Sequence, residues 1–319
     1  MAAGLLSGSS SAPAAVGSST TGVVVIQTRL GPTDSTAAGT GMVLTPSGEV
    51  LTHNHVIRGA TRIRVRVPAT GRTYSARVLG YSVAADVALL KLTGASALVT
   101  VSVGNSSKVE LGDDVTAVGN AGGTGRLTTK EGAITGIGRE ITVNDGQGNE
   151  ARLTHLLETD AGVAPGDSGG AVLDTAGRVI GMTAAASFEL GSRSTSSDGY
   201  AIPINRVVSI ARQIERGSSS ASVHIGATPF LGISADTRPL TEDRGVLVAG
   251  VQAGSPAARA GLAAGDAIVA FNGNAVPTYS KLVARMLRWH PGDTVRLTWI
   301  DEFGTRDAAT VKLTSGPPQ

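Results

Sequence analysis

Between residues 22 and 182, short runs of β-branched and aliphatic residues alternate with glycine-rich turns. Arg62-Ile63-Arg64-Val65-Arg66-Val67 alternates polar and apolar without a break, the two-residue period of a half-buried strand. Comparable runs predict strands over 23–27, 41–44, 50–52, 62–67, 76–81, 87–92, 114–118, 130–137, 154–159, 171–173 and 179–184. So many short strands with no helix among them predict closed antiparallel sheets, and the length of the stretch predicts two barrels. The period changes near residue 203. Val207, Val208, Ile210, Ala211 and Ile214 recur at helical spacing and predict a helix over 203–216 capped by Asn205. Gly217-Ser218-Ser219-Ser220-Ala221-Ser222 then has the composition of a flexible linker. Beyond it, strands over 245–251, 267–271, 294–299 and 308–313 mix with helices over 255–260 and 280–289. Pro256 opens the first helix and Gly261 stops it, while Leu282, Val283, Met286 and Leu287 give the second one apolar face. The expected organisation is a flexible leader over 1–20, a mainly β body over 21–216, a linker over 217–226 and a small α+β module over 227–315.

Composition narrows the function classes. Of 319 residues, 41% are hydrophobic and 16% charged, which excludes a self-repelling disordered chain. Forty-three glycines against 3% aromatics fit many turns and close backbone approaches. The net charge of +2, with no dense basic block, argues against a nucleic-acid partner. The chain has no cysteine, which removes disulfides, cysteine metal sites and a cysteine nucleophile together. Residues 1–28 carry no charge but are rich in Ala, Gly, Ser and Thr, far from the ~20 strongly apolar residues of a membrane span. They also lack the basic start of a signal peptide.

Candidate chemistry centres on Gly166-Asp167-Ser168-Gly169-Gly170. A serine hydroxyl attacks a carbonyl only when a base takes its proton and donors stabilise the oxyanion. Glycines let the backbone turn sharply and aim its amides at one spot, here those of Gly166 and Ser168. Taken alone the pentapeptide is also a plausible inert turn, so partners decide. Of the five histidines (His53, His55, His155, His224 and His290), His55 lies where the chain leaves a predicted strand and enters Val56-Ile57-Arg58-Gly59. Its neighbour His53 is read as a bystander whose replacement by alanine is tolerated. Asp86 opens the apolar strand Val87-Ala88-Leu89-Leu90-Lys91 and can orient an imidazole. The order His55, Asp86, Ser168 is that of chymotrypsin-type enzymes, unlike the order in subtilisins or α/β-hydrolases.

Longer motifs carry a resemblance. Gly39-Thr-Gly-Met-Val-Leu-Thr-Pro-Ser-Gly-Glu-Val-Leu-Thr-His-Asn-His-Val56 resembles the histidine block of the HtrA (Deg) serine proteases, and Asp86-Val-Ala-Leu-Leu-Lys91 their aspartate block. Leu111-Gly-Asp-Asp-Val-Thr-Ala-Val-Gly-Asn120 is similar to the segment before their regulatory loop. Thr159-Asp-Ala-Gly-Val-Ala-Pro-Gly-Asp-Ser-Gly-Gly-Ala-Val172 resembles their serine block and Gly199-Tyr-Ala-Ile-Pro-Ile204 their closing strand. The resemblance runs from about residue 22 to 315. It implies a chymotrypsin-like double β-barrel protease over 21–216 followed by a PDZ domain over 227–315. Implied with it are an endopeptidase acting on unfolded or damaged proteins, PDZ-controlled access for C-terminal peptides, and an extracytoplasmic location in bacteria. Phe230, Leu231, Gly232 and Ile233 resemble the carboxylate-binding loop, with the helix over 280–289 as the other groove wall. No metal or organic cofactor is implied.

The chain departs from the family in three places. Asp167 stands where the family usually has Asn and is expected to cap a turn. The loop over 120–130 is short. Residues 1–73 hold no aromatic, whereas family trimers commonly use N-terminal aromatics, so the homo-oligomer that the resemblance implies, a trimer, is less secure than the fold. The specificity pocket is expected from Thr183, Ala184, Ala185 and Ala186 together with 161–165, favouring small or aliphatic side chains before the cut. Two rival readings accompany the protease. One is a latent or chaperone-like peptide-binding protein with a collapsed oxyanion hole, and the other is a scaffold whose PDZ domain is the function.

Overall fold

A computed structural model describes residues 19–31, 35–144, 150–184, 199–236 and 245–319. Six strands build the first barrel: β1 (Val23–Leu30), β2 (Thr36–Val43), β3 (Glu49–Thr52), β4 (Ala60–Arg66), β5 (Thr73–Ser82) and β6 (Val87–Leu92). They run in the order β5-β4-β1-β2-β3-β6, and β5 pairs again with β6 to close the ring. The alternation read in β4 is real: Ile63 and Val65 are buried while Arg62, Arg64 and Arg66 are exposed. A second closed barrel uses β7 (Asp114–Gly119), β8 (Thr128–Asn144), β9 (Glu150–Thr159), β10 (Ala171–Leu173), β11 (Val179–Ala184) and β12 (Gly199–Pro203). This is the expected mainly β, two-barrel architecture.

Two readings change in detail. The strand expected over 130–137 runs from Thr128 to Asn144, pairing with β7 over its first residues to Ala133 and with β9 from Ile134 onward, with register shifts that the period-two pattern conceals. The helix Ile204–Glu215 buries Ile204, Val207, Val208, Ala211 and Ile214, but Pro203 is its cap residue and Asn205 is not. Asn205 instead bonds the turn Ser106–Lys108: its Nδ2 donates to Asn105 Oδ1 at 2.8 Å and Ser107 Oγ at 2.9 Å, and its Oδ1 accepts from Ser106 N. One side chain thus pins the helix to the barrel connection. Of the leader, residues 1–18 lie outside the described residues.

In the C-terminal module a sheet runs in the order Ile233–Ala235, Val246–Val251, Ala267–Phe271, Thr294–Ile300 and Arg306–Lys312. Its helices are Pro256–Ala260 and Tyr279–Met286. Ser255 caps the first, Thr278 the second, and Gly261 ends the first in a left-handed conformation, as Pro and Gly placement suggested. Leu231, Leu282, Met286 and Trp299 lie in its core.

The module is seated on the first barrel. Within the stretch read as linker, His224–Ile225 pair with Tyr81 and Gly80 of β5. Thr228–Phe230 pair with Thr314–Gly316, and beyond them Gly59 N–H donates to Pro318 O at 2.8 Å and Asn54 Nδ2 to Gln319 O at 2.8 Å. Tyr81 is fully buried at this seam and shares a hydrogen bond with Thr228 Oγ1 at 3.1 Å.

Candidate active site

His55 and Asp86 reach each other from adjacent edges of the first barrel. β3 ends at Thr52, and the single helical turn Asn54–Ile57 that follows carries His55. Asp86 immediately precedes β6 and holds a left-handed φ of 52°, an uncommon state for a residue with a Cβ. Its carboxylate grips the histidine twice. Oδ1 accepts the His55 backbone N–H at 2.9 Å, and Oδ2 faces His55 Nδ1 at 2.6 Å. With Nδ1 donating, the lone pair is left on Nε2, the tautomer a general base needs.

Electrostatics follow from this contact. Burial opposes charge on both groups. At Asp86 it is overcome by the charges of His55 and then His53 and by their hydrogen bonds, which hold the carboxyl well below the usual range. At His55 burial is outweighed by the charge and hydrogen bond of Asp86, less a small opposing effect of Arg58, so its pKa lies above the ordinary 6.5.

His53, read as a bystander, makes contacts of its own. It is fully buried, with Nδ1 at 2.7 Å from Asp86 O and 2.9 Å from Asp86 Oδ2, and Nε2 at 2.9 Å from Thr183 O. Its ring stacks against that of His55 with centroids 5.1 Å apart. Among the described residues, His53, His55 and Asp86 form the group of metal-ligand type whose donor atoms lie within 4.8 Å of one another. Those donors face each other in hydrogen bonds.

Ser168 enters from the second barrel on the turn before β10. Its carbonyl accepts Thr40 N–H at 2.9 Å, Gly169 N–H donates to Thr183 O at 2.9 Å, and Thr183 N–H returns a bond to Gly170 O at 2.9 Å. Gly169 has φ of 85° and lies against Thr40 O, Thr52 Oγ1 and His53 N, where no side chain fits. That close approach sets the serine turn directly on the histidine turn. The Ser168 hydroxyl has no hydrogen bond among the described residues, as is common before substrate tightens such sites. Asp167 does cap a turn: its Oδ2 accepts Ala164 N–H at 2.9 Å. Burial, only partly offset by that bond and by Lys130, pushes its carboxyl upward.

The two amides expected to form an oxyanion hole remain available. Among the described residues neither Gly166 N–H nor Ser168 N–H has a protein acceptor. Gly122 N–H donates to Pro165 O at 2.7 Å. In a trans peptide the carbonyl and the next N–H point opposite ways, so this bond turns Gly166 N–H away from the 120–123 turn. Thr40 supports the same loop, with Oγ1 donating to Gly166 O at 2.8 Å and accepting from Asn120 N at 2.9 Å. Thr40 and Gly122 were not singled out from sequence. Their only signal was a small polar residue between glycines and a glycine-rich turn, patterns common throughout this chain.

Of the pocket residues, Thr183 and Ala184 are buried on β11, while Ala185 and Ala186 lie outside the described residues. Among the described residues Thr183 Oγ1 is buried without a partner. Asp160 spends Oδ1 on Ala133 N–H at 2.7 Å. In the C-terminal module Phe230 is half-buried and Leu231 lies in the core. Gly232 takes a left-handed φ of 84°, and its carbonyl accepts Gln252 N–H at 2.9 Å. Ile233 begins the edge strand, which leaves a sheet edge beside that loop.

Comparison with known proteins agrees with this layout. A trypsin-like peptidase domain family matches residues 39–182 and a PDZ domain family residues 229–313. The chain is 32% identical over 288 residues to the serine protease Do-like HtrA of Lactococcus lactis subsp. lactis, covering 86% of this chain and 70% of that protein. It is 33% identical to the periplasmic pH-dependent serine endoprotease DegQ of Escherichia coli, covering 81% of this chain and 55% of DegQ. Among solved structures, the HtrA-type protease AlgW with tripeptide superposes with a TM-score of 0.55 at 27% identity, covering 96% of this chain and 99% of that one.

Proposed function

Because the chain belongs to the HtrA family of serine endopeptidases, we propose that it cuts unfolded or damaged proteins through a His55–Asp86–Ser168 triad, with PDZ-controlled access. The observation that carries the reading is the double grip of Asp86 on His55, set against the serine turn by the Gly169 contact. In the reaction Ser168 Oγ attacks the scissile carbonyl carbon while its proton passes to His55 Nε2. The carbonyl oxygen becomes an oxyanion facing the Gly166 and Ser168 amides, and Asp86 stabilises the imidazolium. The C–N bond then breaks as His55 returns the proton to the leaving amine. Water repeats the cycle on the acyl-enzyme and releases Ser168.

Support for a competent rather than collapsed hole comes from the Gly122–Pro165 bond, which must break if the 165–166 peptide turns over. Asp160 Oδ1 is directed to β8 by its bond to Ala133 N–H, and the described pocket residues Thr183 and Ala184 are small, in line with small or aliphatic residues before the cut. Peptide termini would bind at the Phe230–Ile233 loop and add a strand to Ile233–Ala235. The periplasmic naming of DegQ supports work outside the cytoplasm.

The test is labelling with a fluorophosphonate probe, wild type beside Ser168→Ala, followed by a β-casein digest. Labelling and digestion confined to wild type are expected. Two folded proteins that both fail to label would favour the latent reading.

A further inference from the structure

We propose that His53 is a positioning residue of the triad, holding the Asp86 carboxylate against His55 and tying it to β11, the strand that is hydrogen-bonded to the nucleophile's turn. The inference rests on the triad reading above and deepens it. Asp86 Oδ2 is shared: His55 Nδ1 reaches it at 2.6 Å and His53 Nδ1 at 2.9 Å. His53 Nδ1 also lies 2.7 Å from the backbone oxygen of Asp86, so one nitrogen braces both the carboxylate and the left-handed backbone that aims it. Such a backbone state persists only where surrounding contacts over-determine it.

The other nitrogen reaches across the barrels. His53 Nε2 is 2.9 Å from Thr183 O, the same carbonyl that accepts Gly169 N–H, one residue after Ser168. A continuous hydrogen-bonded path therefore runs from His55 through Asp86, His53 and Thr183 to the nucleophile's turn. Both His53 nitrogens face oxygen acceptors only, and an imidazole fills both bonds only when each nitrogen carries a proton. The charged neighbours are Asp86 and His55 around His53, with Arg58 added around His55.

Steady-state kinetics on full-length variants test this. His53→Leu fills the space without hydrogen bonds. His53→Asn places an amide near Nδ1 and keeps the Asp86 arm, whereas His53→Gln reaches towards Nε2 and keeps the Thr183 arm. We expect His53→Leu to lose roughly 10- to 100-fold in kcat, the usual cost of losing a partner that orients a catalytic ligand, with KM little changed. The acid limb of its kcat/KM profile should move down towards the ordinary histidine value, because Asp86 no longer stays on His55. His53→Asn should recover the larger part of the loss and His53→Gln little of it.

Wild-type kcat and an unmoved acid limb in His53→Leu would overturn the proposal. So would a loss that Asn and Gln recover equally, or Gln better. If His53→Leu does not fold, the Asn–Gln comparison decides alone. His55→Ala and Ser168→Ala run beside them. If either still labels with the fluorophosphonate probe, the triad reading itself fails. If both are silent, the His53 results bear on His53 alone.

Discussion

Replacing Asp86 by asparagine removes one charge while keeping the size of the side chain. In the wild type, Oδ1 accepts the His55 backbone N–H at 2.9 Å and Oδ2 accepts from His55 Nδ1 at 2.6 Å and His53 Nδ1 at 2.9 Å. An asparagine cannot serve all three donors. Set with its oxygen at the Oδ1 position, its NH2 faces His55 Nδ1 and forces the ring proton onto Nε2, which then cannot take the Ser168 proton. Flipped, its NH2 opposes the His55 backbone N–H and leaves that donor unpaired, at a cost of about 1–3 kcal/mol. The imidazolium formed during attack also loses its counter-charge. The corresponding change in the template triad lowers kcat about 10⁴-fold, or about 5.4 kcal/mol at 1.36 kcal/mol per decade. The expected loss here is of that order: the flipped form alone costs roughly 5- to 150-fold for its unpaired donor, and the lost counter-charge adds to it. Casein turnover and the rate of fluorophosphonate labelling measure it, with circular dichroism as the fold control. Activity within tenfold of wild type in a folded protein would refute the assignment of Asp86.

The remaining predictions concern pH and the oxyanion loop. His55 works only when unprotonated and its pKa is raised, so kcat/KM should fall with decreasing pH through a value above 6.5; a midpoint at or below it would contradict the Asp86 contact. Stability should move the opposite way. The raised His55 stabilises below about 6.5 and loses that contribution as pH rises through its folded value, while the depressed Asp86 stabilises above about 3.9 and loses it on acidification. Their joint contribution is greatest at mildly acidic pH, read as the Tm difference between wild type and Asp86→Asn. Gly166→Ala puts a Cβ on the Asn120 carbonyl at a φ of 96° and should cost roughly 10²- to 10³-fold in kcat by moving one oxyanion donor. Wild-type turnover would show that the hole does not depend on that conformation.

Much of this arrangement was legible in the sequence because each signal was local. Period-two alternation in β4 and the apolar run of β6 placed strands, and the glycines beside Ser168 marked a turn that only glycine can make. Contacts between distant segments were hidden. Asn205 has the chemistry of a cap, yet it bonds residues about 100 positions away, and no local pattern announces which use prevails. His53 stood in plain view two residues from His55, but its role depends on Thr183 of the other barrel, 130 residues later. The length of β8 was missed because register shifts break its alternation.

The seam between the PDZ domain and the first barrel runs through backbone that lies close in the chain to the histidine–aspartate pair. His224 sits on a short strand paired with β5, with Nδ1 2.9 Å from Leu287 O, the residue that closes the helix Tyr279–Met286. Tyr81, its partner in that pairing, lies five residues before Asp86 in the chain. On another side of the seam, Gln319 O holds Asn54, which is flanked by His53 and His55. A displacement of that helix would thus be felt at both ends of the histidine–aspartate pair through the backbone itself. The geometry is that of a short lever, with the helix at one arm and His55 at the other.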